Sequence, residues 1–307
     1  MRRIAVLCGG VGAARFLSGL IAVVDPTGVT AIVNVADDDE FHGLHVSPDL
    51  DTVLYTLAGV VDEAQGWGRK EETYHAQEEL VRFGEDAWFR LGDRDLAAHI
   101  HRTRLLRAGT SLTDVVDGMR TALGIGARIL PATDTEQRTM VRTPDGWIAF
   151  QEYFVKRRTA DAVGDLRFEP DAAPSAHVRA AIAEADVIVI APSNPFVSIG
   201  PILALAGMRD SLRLARAKVV AVSPIVGGAA IKGPAAAMLA SLGHEVSALG
   251  VARIYADVAG AFVIDDADRA LGPVIEQLGL KVIITPTLMR DAATRAALAR
   301  ATIAAVP

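Results

Sequence analysis

Short runs of apolar, mostly β-branched residues alternate along the chain with alanine-rich stretches of helical character. Near-continuous apolar runs that end in glycine, proline or a small polar residue are typical of strands in a parallel sheet with both faces covered. Six runs predict such strands: 3–8, 29–35, 186–192, 217–224, 261–266 and 281–287. The alternation predicts an α/β fold with a doubly wound, mostly parallel, Rossmann-like sheet.

The interval 62–170 has a different pattern, rich in charged helix formers such as the stretch EETYHAQEELVRF. It ends with two strand-like runs within 139–155 that are joined by Pro144, Asp145 and Gly146, a combination that favours a hairpin turn. We therefore predict that 1–307 is a single α/β domain. In this domain 62–170 would be a helical and β-hairpin elaboration that roofs the active site.

Composition and charge narrow the classes of protein. The chain has 307 residues, of which 51% are hydrophobic, and its net charge of −6 argues against a general nucleic-acid binder. The single cysteine, Cys8, excludes a disulfide framework and is typical of a cytoplasmic protein. The uncharged run 187–208 is long enough to span a membrane, but three prolines interrupt it, so we expect no membrane span.

A glycine-rich turn follows the first predicted strand, in LCGGVGAARFLSGL. Gly9, Gly10 and Gly12 precede a predicted helix, and free amides at a helix start favour an anion. The dinucleotide-binding pattern fits only partly, because Arg15 stands where glycine or alanine is expected. These four residues are candidates for binding a nucleotide diphosphate; the alternative is a tight turn that serves strand–helix packing.

Acidic residues are concentrated in NVADDDEFHGLHVSPDLDT, residues 34–52. Asp37 follows the second predicted strand, while Asp49 and Asp51 open a predicted helix. Hard cations such as Mg2+ prefer a few carboxylates together with substrate phosphates, so these three aspartates are candidate metal ligands. A solvated turn with a helix cap remains the alternative. Zinc is disfavoured, because His42 and His45 lie among carboxylates and lack a zinc-binding helix pattern.

Two later loops carry polar groups in apolar surroundings. Ser193 and Asn194 follow a predicted strand in APSNPFVSIGPILAL, and Lys232 lies in SPIVGGAAIKGPAA beside a glycine pair. They are candidates for nucleotide or diphosphate binding. The alternative for Ser193 and Asn194 is turn and capping hydrogen bonds.

These segments together resemble the CofD/FbiA family, the 2-phospho-L-lactate or phosphoenolpyruvate transferases of deazaflavin coenzyme biosynthesis. The resemblance rests on GGVGAARFL, VNVADD, SPDLDTVLYTLAG, RLGDRDLAAH, APSNPFVSIGPIL and VAVSPIVGGAAIKGPAA, in this order over nearly the whole chain. One departure is Ala36, where many members have glycine, and it leaves the geometry of that loop open.

The resemblance implies a reaction and its partners. A GDP-linked three-carbon acid would donate its phospho-acid unit to the ribityl hydroxyl of the deazaflavin alcohol Fo, with release of GMP, in coenzyme F-420 biosynthesis. Mg2+ is the implied metal, and a homodimer is expected. By the same resemblance Asp51 and Arg90 would bind Fo. Asp49 and Asp51 are the candidate catalytic carboxylates; which of them holds the metal, and whether either takes the hydroxyl proton, stays open.

Two other functions are compatible with the residues. The first is an NAD(P)-dependent oxidoreductase that holds a pyrophosphate at 9–12 and a ribose at Asp37, and Arg15 counts against it. The second is a non-catalytic nucleotide-binding protein, which the fold alone would permit. No residue decides between enolpyruvate, lactate and glycerate as the three-carbon acid.

Overall fold

A computed structural model describes residues 2–231 and 233–306. Its strands are β1 (Ile4–Cys8), β2 (Val29–Val33), β3 (Asp39–Phe41), β4 (Leu44–Val46), β5 (Arg128–Pro131), β6 (Arg138–Thr143), β7 (Gly146–Ala149), β8 (Asp165–Glu169), β9 (Val187–Ile190), β10 (Val219–Val222), β11 (Ile225–Val226), β12 (Ala229–Ala230), β13 (Ala261–Ile264) and β14 (Lys281–Ile284). Its α-helices are α1 (Gly10–Ile21), α2 (Pro48–Leu57), α3 (His75–Arg82), α4 (Asp93–Arg107), α5 (Leu112–Ala122), α6 (Ala176–Glu184), α7 (Gly200–Ala204), α8 (Met208–Leu214), α9 (Ala235–Ser241), α10 (Ala248–Tyr255), α11 (Gly272–Glu276) and α12 (Ala292–Ile303).

Seven strands of the described residues form one parallel sheet in the order β14-β13-β10-β9-β1-β2-β5. The prediction of an α/β fold with a doubly wound parallel sheet is confirmed, and all six predicted strands lie in this sheet. The seventh, β5, is an edge strand in which only Ile129 and Leu130 lie between Arg128 and Pro131, too few apolar residues to stand out as a run.

Both faces of the sheet are buried, as a doubly wound fold requires. Along β1, Ile4, Val6 and Cys8 face a core that α1, α2, α5 and α12 complete, whereas Ala5 and Leu7 face a second core beneath α6, α7, α8 and α10. This alternation explains the continuous apolar runs, because every position of a central strand is covered on one side or the other.

In the sheet, β1 lies between β2 and β9. The chain places β2 and β5 on one side of β1 and the later strands on the other, so the strand order reverses between β1 and β9. Ligands of open α/β sheets bind beyond the carboxyl ends of the strands at such a switch point. The segments that follow β1, β2 and β9 therefore meet at one edge, and they contain the glycine turn, the acidic stretch and the Ser193 loop.

We predicted that 62–170 is a helical and β-hairpin elaboration, but parts of this interval belong to the central fold. The predicted hairpin is present as β6 and β7, and β8 adds a third antiparallel strand beside β6. However, β5 belongs to the main sheet and α5 packs into its core through Val115 and Val116. The elaboration is therefore divided by elements of the central fold.

No helix of the described ranges is both long and apolar enough to cross a bilayer.

The packing of α1 against α12 gives a direct stability test. A Cβ at Gly19 would collide with the backbone of Arg295, whereas a Cβ at Gly118, on the exposed face of α5, would meet nothing within 4 Å. We expect Gly19→Ala to lower the free energy of unfolding by about 1–3 kcal/mol through overpacking. Gly118→Ala, the control, should raise it by about 0.5–1 kcal/mol. Urea unfolding measures both, and an equal response would contradict this helix packing.

Candidate active site

The acidic stretch folds into a turn, a short hairpin and the first turn of α2. The side-chain oxygen of Asn34 accepts the amide of Ala36 at 3.0 Å, and the amide of Asp38 donates to the carbonyl of Val35 at 3.1 Å. Strands β3 and β4 then run out and back through His42 and Gly43, both with positive φ. This hairpin returns the chain to the edge of the sheet, where α2 begins beside the end of β2.

Asp37 and Asp49 form the centre of the acidic site. Both are less than one-tenth exposed, and the amide of Asn34 donates to Oδ2 of Asp49 at 3.0 Å. Burial, together with the nearby charge of Asp49, raises the pKa of Asp37 well above its usual range. Burial also raises the pKa of Asp49 to about 7, although the hydrogen bond from Asn34 opposes this rise. The hairpin therefore brings Asp37 and Asp49 together, whereas the sequence offered Asp37, Asp49 and Asp51 as candidate ligands of one metal ion.

Residues of the elaboration donate hydrogen bonds to the backbone of the acidic loop at residues 36–38. The amide of Thr139 donates to the carbonyl of Ala36 at 2.7 Å, and the side chain of Gln151 donates to the carbonyl of Asp37 at 2.8 Å. Arg138 donates to the next carbonyl, that of Asp38. Three consecutive carbonyls are thus fixed, and a cavity of about 270 Å³ lies between this loop and β6–β7. The elaboration supports the site directly.

The glycine turn serves the carboxylate of Asp49. The amide of Gly10 donates to this carboxylate at the start of α1, and a Cβ at Gly9 would collide with its Oδ2. A Cβ at Gly12 would collide with the carbonyl of Pro192. The helix start that the sequence offered to a phosphate is thus partly occupied by an internal anion. Glycine is required at positions 9 and 12 because the carboxylate of Asp49 and the carbonyl of Pro192 approach the backbone there.

Asp51 points away from this centre. Residues two apart on a helix do not share a face, so Asp49 and Asp51 leave α2 in different directions. Both oxygens of Asp51 are taken by the guanidinium of Arg102 on α4: Nη1 donates to Oδ2 at 3.1 Å and Nη2 donates to Oδ1. The structure therefore brings Asp37 and Asp49 together but joins Asp51 to an arginine, which does not favour Asp51 as a metal ligand.

Asp38 lies between these two arrangements. Its Oδ2 accepts the hydroxyl of Ser47 at 2.7 Å and lies 3.0 Å from Nε2 of His45. Burial raises the pKa of Asp38, against the lowering effect of the contacts with His45 and Ser47. Ser47 precedes α2 but caps it with no side-chain hydrogen bond; its hydroxyl donates to Asp38 instead.

Asp37, Asp38 and Asp49 have the chemistry of divalent-cation ligands, whereas the one group of three described ligand atoms within 4.8 Å of one another is Asp51, Asp95 and His99. Oδ1 of Asp37 and Oδ1 of Asp38 are buried and accept no hydrogen bond from the described residues. Buried acceptors of this kind normally have partners, and adjacent carboxylates repel each other unless a positive charge separates them. Hard oxygen donors in this number match Mg2+ rather than zinc.

The other predicted site residues lie in less connected positions. Arg90 is exposed, with its guanidinium 3.9 Å from the ring centroid of Tyr74, and within the described ranges no hydrogen bond or ion pair joins it to the aspartates. Arg15 is half-buried on α1. Lys232 lies outside the described residues.

The polar side chains after β9 are used within the protein. Ser193 donates to the carbonyl of Gly9 at 2.9 Å, which ties this loop to the glycine turn. Asn194 accepts the amide of Phe196 at 2.9 Å and so stabilises its own loop. The bond of Asn194 is the turn bond that the sequence offered as the alternative role, whereas the bond of Ser193 joins two loops that are distant in the sequence.

Asn34, His99 and Arg102 were missed as site residues from the sequence. In the sequence Asn34 stands out only as part of the motif VNVADD. On α4, Asp95, His99 and Arg102 recur at intervals of four and three, which places them on one helix face. That polar spacing, in a helix with no apolar stripe, was the available signal.

The buried acidic centre lies at the switch point of a doubly wound sheet, the usual position of a ligand site in α/β proteins. Comparison with known proteins then assigns the family. The family described as 2-phospho-L-lactate transferase CofD matches residues 4–276. The chain belongs to this CofD family of transferases, as the resemblance implied.

Named relatives agree with the family. A phosphoenolpyruvate transferase of Kitasatospora aureofaciens is 43% identical over 311 residues, covering 98% of this chain and 97% of the relative. A 2-phospho-L-lactate transferase of Methanothermobacter thermautotrophicus is 41% identical over 297 residues, covering 97% and 96%. These names indicate a transferase and give no support to an oxidoreductase.

Solved structures support the fold. A Bacillus halodurans protein of the UPF0052 family superposes with a TM-score of 0.66 at 16% identity, covering 98% of each chain. At this identity the likeness concerns the fold alone.

The acidic centre should make the metal-free protein less stable as the pH rises. The carboxyl of Asp49 has a pKa of about 7 in the folded chain, against about 3.9 when unfolded, so the folded state holds a proton that the unfolded state has lost. The free energy of unfolding should therefore fall by about 4 kcal/mol between pH 4 and pH 7 from this group. Urea unfolding in the presence of a chelator measures this fall, and excess Mg2+ should reduce it.

A matched pair of variants on α2 separates the two kinds of carboxylate. At pH 8 without metal, Asp49→Asn should raise the free energy of unfolding by about 1–4 kcal/mol, because it removes a repelled charge. Asp51→Asn should lower it by about 3–5 kcal/mol, because it leaves Arg102 buried without its partner. Changes of the same sign would contradict the division of the site.

Proposed function

We propose that this protein transfers a phospho-three-carbon-acid unit from a GDP-linked donor to the ribityl hydroxyl of Fo and releases GMP, in coenzyme F-420 biosynthesis. The observation that carries the proposal is the buried pair Asp37 and Asp49 at the switch point of the sheet, within a chain of the CofD family. The relatives, which are named phosphoenolpyruvate transferase and 2-phospho-L-lactate transferase, support the same class of transfer.

Mg2+ is the proposed cofactor, and Asp37 and Asp49 are its proposed ligands. Their support is mutual proximity, burial and the unpartnered Oδ1 of Asp37 among the described residues. When bound, the ion would neutralise diphosphate charge and favour departure of the nucleotide. Asn34 would hold Asp49 in its ligating orientation through the 3.0 Å hydrogen bond. Asp38, which is fixed by Ser47, would add negative charge to the centre.

The donor's diphosphate would lie at the same edge. The proposed contacts are Gly9, Gly10, Gly12, Arg15 and Lys232, with Ser193 and Asn194 nearer the guanosine. Ser193 already fixes the glycine turn through the carbonyl of Gly9, so its proposed role is to shape the nucleotide site. Positioning and charge neutralisation are the main contributions that a protein makes to this type of transfer.

The acceptor would approach from the side of Asp51 and Arg90. Asp51 is fixed by Arg102, so its proposed role is to orient the acceptor rather than to ligate the cation. Arg90 is exposed and stacks on Tyr74, where its side chain can reach a bound aromatic alcohol. We further propose a cytoplasmic homodimer, for which sedimentation analysis is the test.

An assay with purified protein tests this function. The protein is supplied with Fo, Mg2+ and, in turn, GDP-linked enolpyruvate, lactate and glycerate, and mass spectrometry follows the product and GMP. We expect GMP and product in equal amounts with one donor preferred, loss of turnover with a chelator, and recovery with Mg2+ but not Zn2+. Absence of product with every donor would overturn the proposal.

A pair of variants tests the role of the acidic centre. Asp37→Asn should lower kcat/KM by at least about a hundredfold, because substitution of a ligand costs no less than substitution of its outer-shell partner. Glu40→Gln removes the same charge three residues away, at an exposed position of β3, and should retain nearly full activity. Equal losses would mean that general charge, and not ligation, is responsible.

A further inference from the structure

Arg102 is the largest fully buried side chain of the described residues and carries a charge. Its contacts reach three elements. It pairs with Asp51 on α2 through both terminal nitrogens, its Nη1 lies 3.3 Å from the carbonyl of His45 on β4, and it stands on α4 itself. A paired arginine fork fixes the plane of a carboxylate, which a lysine cannot do. Arg102 therefore sets the orientation of Asp51 and its distance from β4.

A chain of buried polar groups continues behind Arg102. Its Nη1 lies 3.3 Å from Nδ1 of His99, and because a guanidinium can only donate, Nδ1 is the acceptor. The hydrogen of the imidazole is then on Nε2, which lies 3.4 Å from Oδ2 of Asp95. The hydroxyl of Tyr55 donates to Oδ1 of the same carboxylate at 2.6 Å. Tyr55 thus donates to Asp95 and Arg102 to Asp51, whereas Nε2 of His99 and Nε of Arg102 are buried without a hydrogen-bond partner among the described residues.

This arrangement substitutes for a second cation. Asp51, Asp95 and His99 carry ligand atoms within 4.8 Å of one another, the spacing of a metal site. The guanidinium of Arg102 already supplies the positive charge there and uses both oxygens of Asp51. The charge of Asp51 is therefore balanced within the protein, whereas the Asp37 and Asp49 pair has no such arginine bound to it among the described residues.

We propose that Arg102 is a positioning residue of the transferase site, which orients Asp51 for the acceptor alcohol and has no part in holding the cation. The proposal rests on the proposed function, since it assigns the Asp51 side of the site to the acceptor. His99 lies against the guanidinium, and Asp95 with its partner Tyr55 lies behind His99, so any effect of these residues on the acceptor passes through Arg102. Loss of the fork should weaken acceptor binding while the cation site stays intact.

Arg102→Lys tests this role with the positive charge retained. We expect the acceptor Kd and KM to rise by about tenfold or more, because a charge-assisted hydrogen bond is lost. The Kd of Mn2+, measured by calorimetry, should stay within about threefold, because its ligands keep their partners. Tyr55→Phe removes only the hydroxyl at the far end of the chain and should give a smaller rise in the acceptor KM.

Arg209→Lys is the matched control. Arg209 also pairs with a carboxylate through two nitrogens, at 2.8 and 2.6 Å from Asp257, and it lies on α8 beside the opposite core. The Arg209→Lys variant should be less stable than the wild-type protein, with an unchanged acceptor Kd. An equal rise in the acceptor Kd for both lysine variants would overturn the proposal, since the effect would then be general destabilisation.

Chemical rescue tests the position of the charge. In Arg102→Ala, added guanidinium at millimolar concentration should restore acceptor binding, whereas urea, its neutral analogue of the same shape, should not. If this variant does not fold, Arg102→Lys and His99→Gln provide the measurement. Equal rescue by both compounds, an unchanged acceptor Kd in Arg102→Lys, or a parallel loss of Mn2+ affinity would overturn the proposal. Wild-type protein that does not bind the acceptor would instead overturn the proposed function.

Discussion

Buried carboxylates that face one another are the constraint on which the site depends. Asp37 and Asp49 are placed where solvent cannot screen them, and the charge of each disfavours ionisation of the other. Folding alone would avoid such an arrangement, because a buried charge without a partner is costly. The surrounding structure maintains it: β1 and α1 supply an amide to Asp49, Asn34 supplies a second donor, and β6–β7 hold the backbone of the loop.

The same stretch contains a carboxylate with the opposite environment. Asp51 is two residues from Asp49, yet it is held by Arg102 in a buried ion pair. The helical geometry of α2 separates the two, since a two-residue step places side chains on different faces. The acidic stretch thus contains the pair Asp37 and Asp49, to which no arginine is bound among the described residues. It also contains Asp51, which is paired with Arg102. This separation is the basis of the different roles that we propose for the two carboxylates.

Much of the fold followed from apolar periodicity, because strands of a sheet buried on both faces need continuous apolar residues. Strand β5 escaped detection because its sequence, RILP, contains only two apolar residues between an arginine and a proline. In the site, the convergence of Asp37 and Asp49 could be predicted from the strand ends. The partner of Asp51 could not, because Arg102 is 51 residues away and only tertiary structure brings α4 against α2. The glycine turn illustrates another limit: its pattern indicates a close approach to the backbone, but not that an internal carboxylate makes it.

Membership of the CofD family indicates a transferase, and the division of the carboxylates underlies the roles that we propose for the cation and the acceptor. The account is tested most directly by locating the cation in crystals grown with Mn2+, through its anomalous scattering. We predict a single ion bound by oxygens of Asp37 and Asp49 at about 2.1 Å, with Asp51 still paired to Arg102. An ion bound by Asp51, Asp95 and His99, with Arg102 displaced, would contradict it.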